Sequence, residues 1–151
     1  MSIFHAMNVS GSGLTAQRLR MDTISSNLAN IDSTRATMNA DGEYEPYRRK
    51  MTVFQAKDEG FSSMLQKATQ RGGSVGSGVR VSEIAEDQEP FKLVYNPQHP
   101  DANEAGYFEM PNVDPLKETV DMMSATRSYE ANITAVNASK TMLMKALEIG
   151  K

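Results

Sequence analysis

The sequence predicts an α+β fold, with a long N-terminal and a long C-terminal α-helix paired as an antiparallel coiled-coil-like unit and a small β-rich insert between them. Three observations carry this. Apolar residues recur at heptad spacing from Ile3 to Ile31, they do so again after Pro115, and between these stretches run short alternating segments broken by turn-forming residues. The boundaries fall at 1–34 for the first helix, 35–111 for the insert and 112–151 for the second helix.

In the first helix Met7, Leu14, Met21 and Leu28 form one column of the heptad, and Ile3, Ile24 and Ile31 form the other. Ser10 and Gln17 interrupt the second column, so the seam weakens toward its start. Gly11 and Gly13 weaken it further, at roughly 1 kcal/mol each relative to alanine in a helix interior. Residues before Leu14 are therefore expected to be ordered mainly by contact with something else. Asp32, Ser33, Asn39, Asp41, Gly42 and Pro46 then end the helix and begin a turn-rich segment.

The insert is predicted to hold several short, half-buried strands. Tyr47, Met51 and Val53 mark one, Val79 and Val81 another, Phe91, Leu93 and Tyr95 a third, and Gly106 to Met110 a fourth. Phe61 to Gln70 is expected to form a short helix. The run Gly72-Gly73-Ser74-Val75-Gly76-Ser77-Gly78 is a flexible loop and lacks the Gly-Lys-Ser/Thr ending of a phosphate-binding loop. Arg48, Arg49 and Lys50 are expected to be a solvated strand end.

At Asn112-Val113-Asp114-Pro115 the second helix starts, with Asp114 accepting free backbone donors and Pro115 supplying a preset φ at the first helical position. Met122, Tyr129, Val136 and Leu143 repeat every seven residues, Ile133 and Leu147 widen the stripe, and Gly150 stops it. Each terminal helix is thus ~30 residues, on the order of 45 Å.

Composition narrows the function. The 151 residues suit one ordinary domain, or a small domain with extensions. Tryptophan is absent, aromatics are 7% and the mean hydropathy is -0.49, so a compact monomer has few large side chains to fill a core. The eleven methionines suit either a core that needs gap-filling or a surface that adapts to neighbours. A net charge of -3 argues against nucleic acid as a partner, and the absence of cysteine removes disulfides, thiolate metal sites and cysteine nucleophiles. No basic head followed by an apolar run marks a cleaved signal, and no segment supplies the ~20 consecutive apolar residues of a membrane span.

Nothing points to catalysis, a cofactor, a metal or a small-molecule substrate. His99, Asp101 and Glu104 do not have the spacing of a recognised ligand set, and the other histidine is His5. His99-Pro100-Asp101 matches the tripeptide of J-domain co-chaperones, but it follows a predicted strand and sits among prolines, which makes it a turn. Two amphipathic helices alone leave much of their stripes uncovered. Packing pairs head to tail would cover them and generate a ring or a helical filament, whereas stripes that close on each other and on the insert would give an ordinary α+β monomer. A structural subunit is the expectation. A helical adapter and a hydrolase centred on His99 are the alternatives.

Specific motifs favour the subunit. Leu14-Thr15-Ala16-Gln17-Arg18-Leu19-Arg20-Met21-Asp22, followed by Ile24-Ser25-Ser26-Asn27-Leu28-Ala29-Asn30, resembles the N-terminal signature of bacterial flagellar axial proteins. Ala125-Thr126-Arg127-Ser128-Tyr129-Glu130-Ala131-Asn132 resembles the matching C-terminal motif. Tyr95-Asn96-Pro97-Gln98-His99-Pro100-Asp101-Ala102, Gly106-Tyr107 and Pro111-Asn112-Val113-Asp114 are similar to the FlgC family of proximal-rod proteins. The resemblance spans nearly the whole chain and makes Asn27, Ala29, Asn30, His99, Pro100, Asp101, Arg127, Glu130 and Asn132 the motif residues. It implies a subunit of the flagellar basal-body rod, the shaft that crosses the periplasm, exported by the flagellar type III apparatus without a cleaved signal. The implied partners are further copies of the chain, other rod proteins and the adapter at the rod base. Combined with the heptads, it makes Met7, Leu14, Met21, Ile24, Leu28 and Ile31 the expected assembly interface on the first helix. On the second helix the expected interface is Met122, Tyr129, Ile133, Val136, Leu143 and Leu147.

Overall fold

The computed structural model describes residues 3–39, 42–57 and 78–149. Helix α1 spans Ile3–Ala29, and six strands follow: β1 (Thr37–Met38), β2 (Tyr44–Glu45), β3 (Lys50–Ala56), β4 (Val79–Glu86), β5 (Lys92–Tyr95) and β6 (Tyr107–Met110). Helix α2, Pro115–Ile149, closes the chain. The strands pair as three two-stranded sheets, β1 with β2, β3 with β4 and β5 with β6. The expected helix at Phe61 to Gln70 and all but Gly78 of the glycine-rich run lie outside the described residues.

The C-terminal end of α1 and the N-terminal end of α2 have local causes. Asn30 ends α1, its side-chain amide donating to the Ser26 carbonyl at 2.9 Å and its carbonyl accepting from the Ser33 amide at 3.1 Å. Asp114 caps α2 as its residue type predicts, accepting from the Leu116 amide at 3.0 Å.

Two compact units result, each drawing on both helices. The first comprises Met1–Leu19, Val53–Glu83 and Ala125–Lys151, and the second Arg20–Thr52 and Ile84–Ser124. In the first, Gly13 lies against Asn132, so closely that a Cβ would fall 3.1 Å from its side-chain amide. Ser12 ties α1 to β4, accepting from the Val79 amide at 3.0 Å. In the second unit Arg20 meets Asp121 at 3.1 Å and Asn27 meets Glu118 at 3.0 Å. Positions fall along α2 as they rise along α1, so the helices run antiparallel.

The β5–β6 hairpin pairs Lys92 with Met110, Leu93 with Glu109, Val94 with Phe108 and Tyr95 with Tyr107. Its inward face is Val94 and Phe108, the latter 8% exposed, and not the predicted Leu93 and Tyr95, which are 66% and 64% exposed. In a strand this short and this rich in apolar residues, alternation does not decide which face turns in. The β1–β2 hairpin lies in the stretch read as turns. Its strands have two residues each, too few for a period to register. The Arg48-Arg49-Lys50 cluster is not a solvated strand end: Arg49 is buried, and Arg48 lies over the Phe91 ring at 4.4 Å.

Candidate assembly surface

The seam between the helices is built from small and polar side chains. On α1 its buried positions are Gly13, Ala16, Thr23, Ile24 and Asn27, and on α2 Glu118, Ala125 and Ser139 are buried and Asn132 half-buried, each seven residues from the next. Small residues let two backbones approach closely, and the larger apolar side chains are consequently displaced to the flanks.

Polar groups close the seam in the second unit. Asn27, 1% exposed, uses both ends of its amide: the nitrogen donates to the Lys50 carbonyl at 2.8 Å and to Glu118 Oε2 at 3.0 Å. Its oxygen accepts from the Tyr47 hydroxyl at 3.0 Å and the Lys50 amide at 2.9 Å. Glu118, fully buried, takes Arg49 Nε on its other oxygen at 2.6 Å, while Arg49 Nη1 reaches Asp87 at 3.2 Å. Asn112 completes the clasp, accepting from the Arg49 amide at 2.8 Å and donating to the Asp87 and Glu89 carbonyls. Burial alone would lower the Arg49 pKa, but Glu118 and then Asp87 outweigh it and hold the guanidinium charged. The Asp87 carboxyl is lowered by the Glu89 backbone amide and by Arg49.

His99-Pro100-Asp101 serves the same unit. Asp101 pairs with Arg35, which donates through Nε at 2.7 Å and through a second nitrogen, and accepts from the Thr34 hydroxyl at 3.0 Å. The loop thereby holds the segment that leaves α1. His99 stacks on Phe108 at 4.0 Å, and its Nδ1 accepts from the Asp101 amide at 3.2 Å. The Arg35 hydrogen bond holds the Asp101 carboxyl below the usual range. Among the described residues no group of three His, Asp or Glu side chains is placed to hold a metal, so Glu104 does not join His99 and Asp101.

The expected interface residues lie mostly beside the seam. Met7, Leu14, Met21, Leu28, Ile31, Met122, Tyr129, Val136 and Leu143 are half-buried, while Ile133 and Leu147 are exposed. Ile24 packs inside its own molecule. The side chain of Ile3 is outside the description. Of the motif residues, Asn27 is in the clasp, Asn30 ends α1 and Asn132 lines the seam. Ala29, Pro100, Arg127 and Glu130 are exposed. One apolar row was missed: Leu116, Val120 and Met123 on α2, spaced by four and three and each more than half exposed. That spacing was its signal in the sequence.

The sequence matches those of known proteins over its whole length. A family model described as flagella basal body rod protein matches residues 7–37, and one described as flagellar basal body rod FlgEFG protein C-terminal matches residues 104–149. The flagellar basal-body rod protein FlgC of Bacillus subtilis is 62% identical over all of both chains. The chain belongs to the FlgC family. Its relative in Borreliella burgdorferi is 43% identical over 99% of this chain and 98% of its own, and that of Escherichia coli O6:H1 is 40% identical over the whole of both. FlgC proteins are structural components of the flagellar basal-body rod and not enzymes, and a rod component associates with other rod proteins. Among the described residues of this FlgC-family chain, no helix is long and apolar enough to cross a membrane.

Proposed function

We propose that the chain is a subunit of the proximal rod, arranged helically with its terminal helices as the axial core, which transmits torque across the periplasm. The observation that carries this is the state of the heptad stripes. Leu14, Met21 and Leu28 on α1 and Met122, Tyr129 and Val136 on α2 stay half-exposed while small and polar residues fill the seam between the helices. Covering them takes neighbouring subunits, so that burial on assembly stabilises the helices, at about 25 cal/mol per Å² of apolar surface. In this reading the neighbours are further copies, other rod proteins and the adapter at the rod base, and delivery is by the flagellar type III export apparatus without a cleaved signal.

Leu28→Asp and Tyr129→Asp test the reading. Each puts a charge on a stripe that neighbours must cover, at a cost of several kcal/mol in the assembled state and little in the monomer, where both positions reach water. The expected result is folded monomers, no rods in purified basal bodies and no swimming. Normal swimming by both variants would overturn the proposal.

A further inference from the structure

We infer that the cleft between the β1–β2 and β5–β6 hairpins is a docking site for the outer face of α2 of a second copy of this chain, anchored by Arg127. The inference rests on the rod reading above and deepens it. The cleft, of about 460 Å³, is lined by Tyr44, Leu93 and Tyr107, with Glu43, Asp101 and Glu109 among its polar residues. Tyr44, Leu93 and Tyr107 are 57%, 66% and 44% exposed in the single chain, over a floor that includes the buried Pro46 and Phe108. One end of the cleft already holds a guanidinium: Arg35 pairs with Asp101 and lies 5.5 Å from the centre of the Tyr44 ring. Glu43 and Glu109, both exposed, make no side-chain hydrogen bond or ion pair among the described residues.

Such a cleft fits apolar side chains followed by a cation, and α2 presents that set in one row. Leu116, Val120, Met123 and Arg127 follow at steps of four, three and four, so they share the helix face opposite Glu118 and Ala125. The first three are 74%, 53% and 52% exposed. Arg127 is exposed as well and has no ion pair among the described residues. The row is open in the molecule that carries the cleft, so its own cleft does not cover it. Because cleft and row are different patches, the contact is head to tail and repeats from copy to copy, as a helical rod requires. Arg127 meets Glu43 and Glu109 there, and the apolar row meets the tyrosines and Leu93.

The chain has no cysteine, which gives disulfide trapping a clean background. Glu109→Cys and Met123→Cys are introduced into separately tagged full-length copies, co-expressed, and oxidised in purified basal bodies. The expected product is a dimer carrying both tags, with none when Leu147→Cys replaces Met123→Cys. No mixed dimer, or a cross-link from position 109 to a protein of another mass, would overturn the inference while leaving the rod reading intact. Absence of the unmodified tagged chain from basal bodies would overturn both. A charge exchange supplies the second arm. Glu43→Arg with Glu109→Arg is expected to reduce incorporation by roughly tenfold, the equivalent of one lost interfacial ion pair, and adding Arg127→Glu is expected to restore it. A triple variant no better than the double would contradict the pairing.

Discussion

At the residue scale the fold turns on a few buried polar side chains whose partners are all present. Asn27 makes four hydrogen bonds, and Glu118 joins it to Arg49. Removing one member leaves buried donors or acceptors on the others without that partner, which costs more than the net worth of the intact bonds. Asn27→Ala is therefore expected to destabilise the monomer by about 2–4 kcal/mol in chemical denaturation, and Glu118→Ala by about 3–5 kcal/mol. Glu118→Leu combined with Arg49→Met should recover only part of the second loss, because the buried Glu118–Arg49 pair is removed whole while Asp87 loses its Arg49 partner. The same residues set the response to acid. Asp87 and Asp101 are both lowered, so their stabilisation is complete above the ~3.9 of an unfolded aspartate and is lost as pH falls through their folded values. Urea midpoints at neutral and acid pH are expected to differ less in Asp87→Asn and Asp101→Asn than in the parent chain.

At the element scale, two glycines of α1 that look equivalent in the sequence are not. A Cβ at Gly11 meets nothing within 4 Å, whereas at Gly13 it crowds Asn132 at 3.1 Å. Gly11→Ala is expected to gain up to about 1 kcal/mol of helix stability, measured by thermal or urea unfolding. Gly13→Ala gains less, because the Asn132 amide must shift. In the β5–β6 hairpin Gly106 has a φ of +81° and a Cβ there would lie 2.9 Å from the Tyr95 ring. Gly106→Ala is expected to cost at least ~1–2 kcal/mol, the penalty of a left-handed backbone for an L-residue. The helices were legible because each holds one period over many turns, and the start of α2 follows from Asp114 and Pro115, whereas α1 ends at Ala29, ahead of the Asp32 and Ser33 expected to stop it. Strands β3 to β6 were legible close to their positions but their pairing and the β1–β2 hairpin were not, and the inward face of β5 was misassigned because Leu93 and Tyr95 outweigh Val94 in apolar bulk. The clasp was not legible at all. Arg49 and Glu118 stand 69 positions apart and Asn27 and Glu118 stand 91 apart, and no local pattern announces a pairing at that distance. The heptad of Glu118, Ala125, Asn132 and Ser139 was visible, but a column of small and polar residues does not stand out beside one of methionine, tyrosine, valine and leucine.

At the scale of the whole molecule, a chain with no tryptophan and eleven methionines folds by burying small and polar groups in its helix seam and leaves much of its large apolar surface at the flanks. That arrangement suits a subunit whose neighbours differ, since methionine side chains adjust to several shapes. The rod reading proposed above makes the stability of the terminal helices depend on assembly, because isolated helical segments with half-covered stripes are marginal in water. Hydrogen exchange read residue by residue, on the purified monomer and on intact rods, tests this most directly. The amides of α1 before Leu14 and of α2 beyond Val136 are expected to exchange fast in the monomer and to gain protection of at least a hundredfold in the rod, while those around Asn27 and Glu118 are protected in both, the gain corresponding to about 3 kcal/mol. Terminal helix amides as protected in the monomer as in the rod would contradict the account.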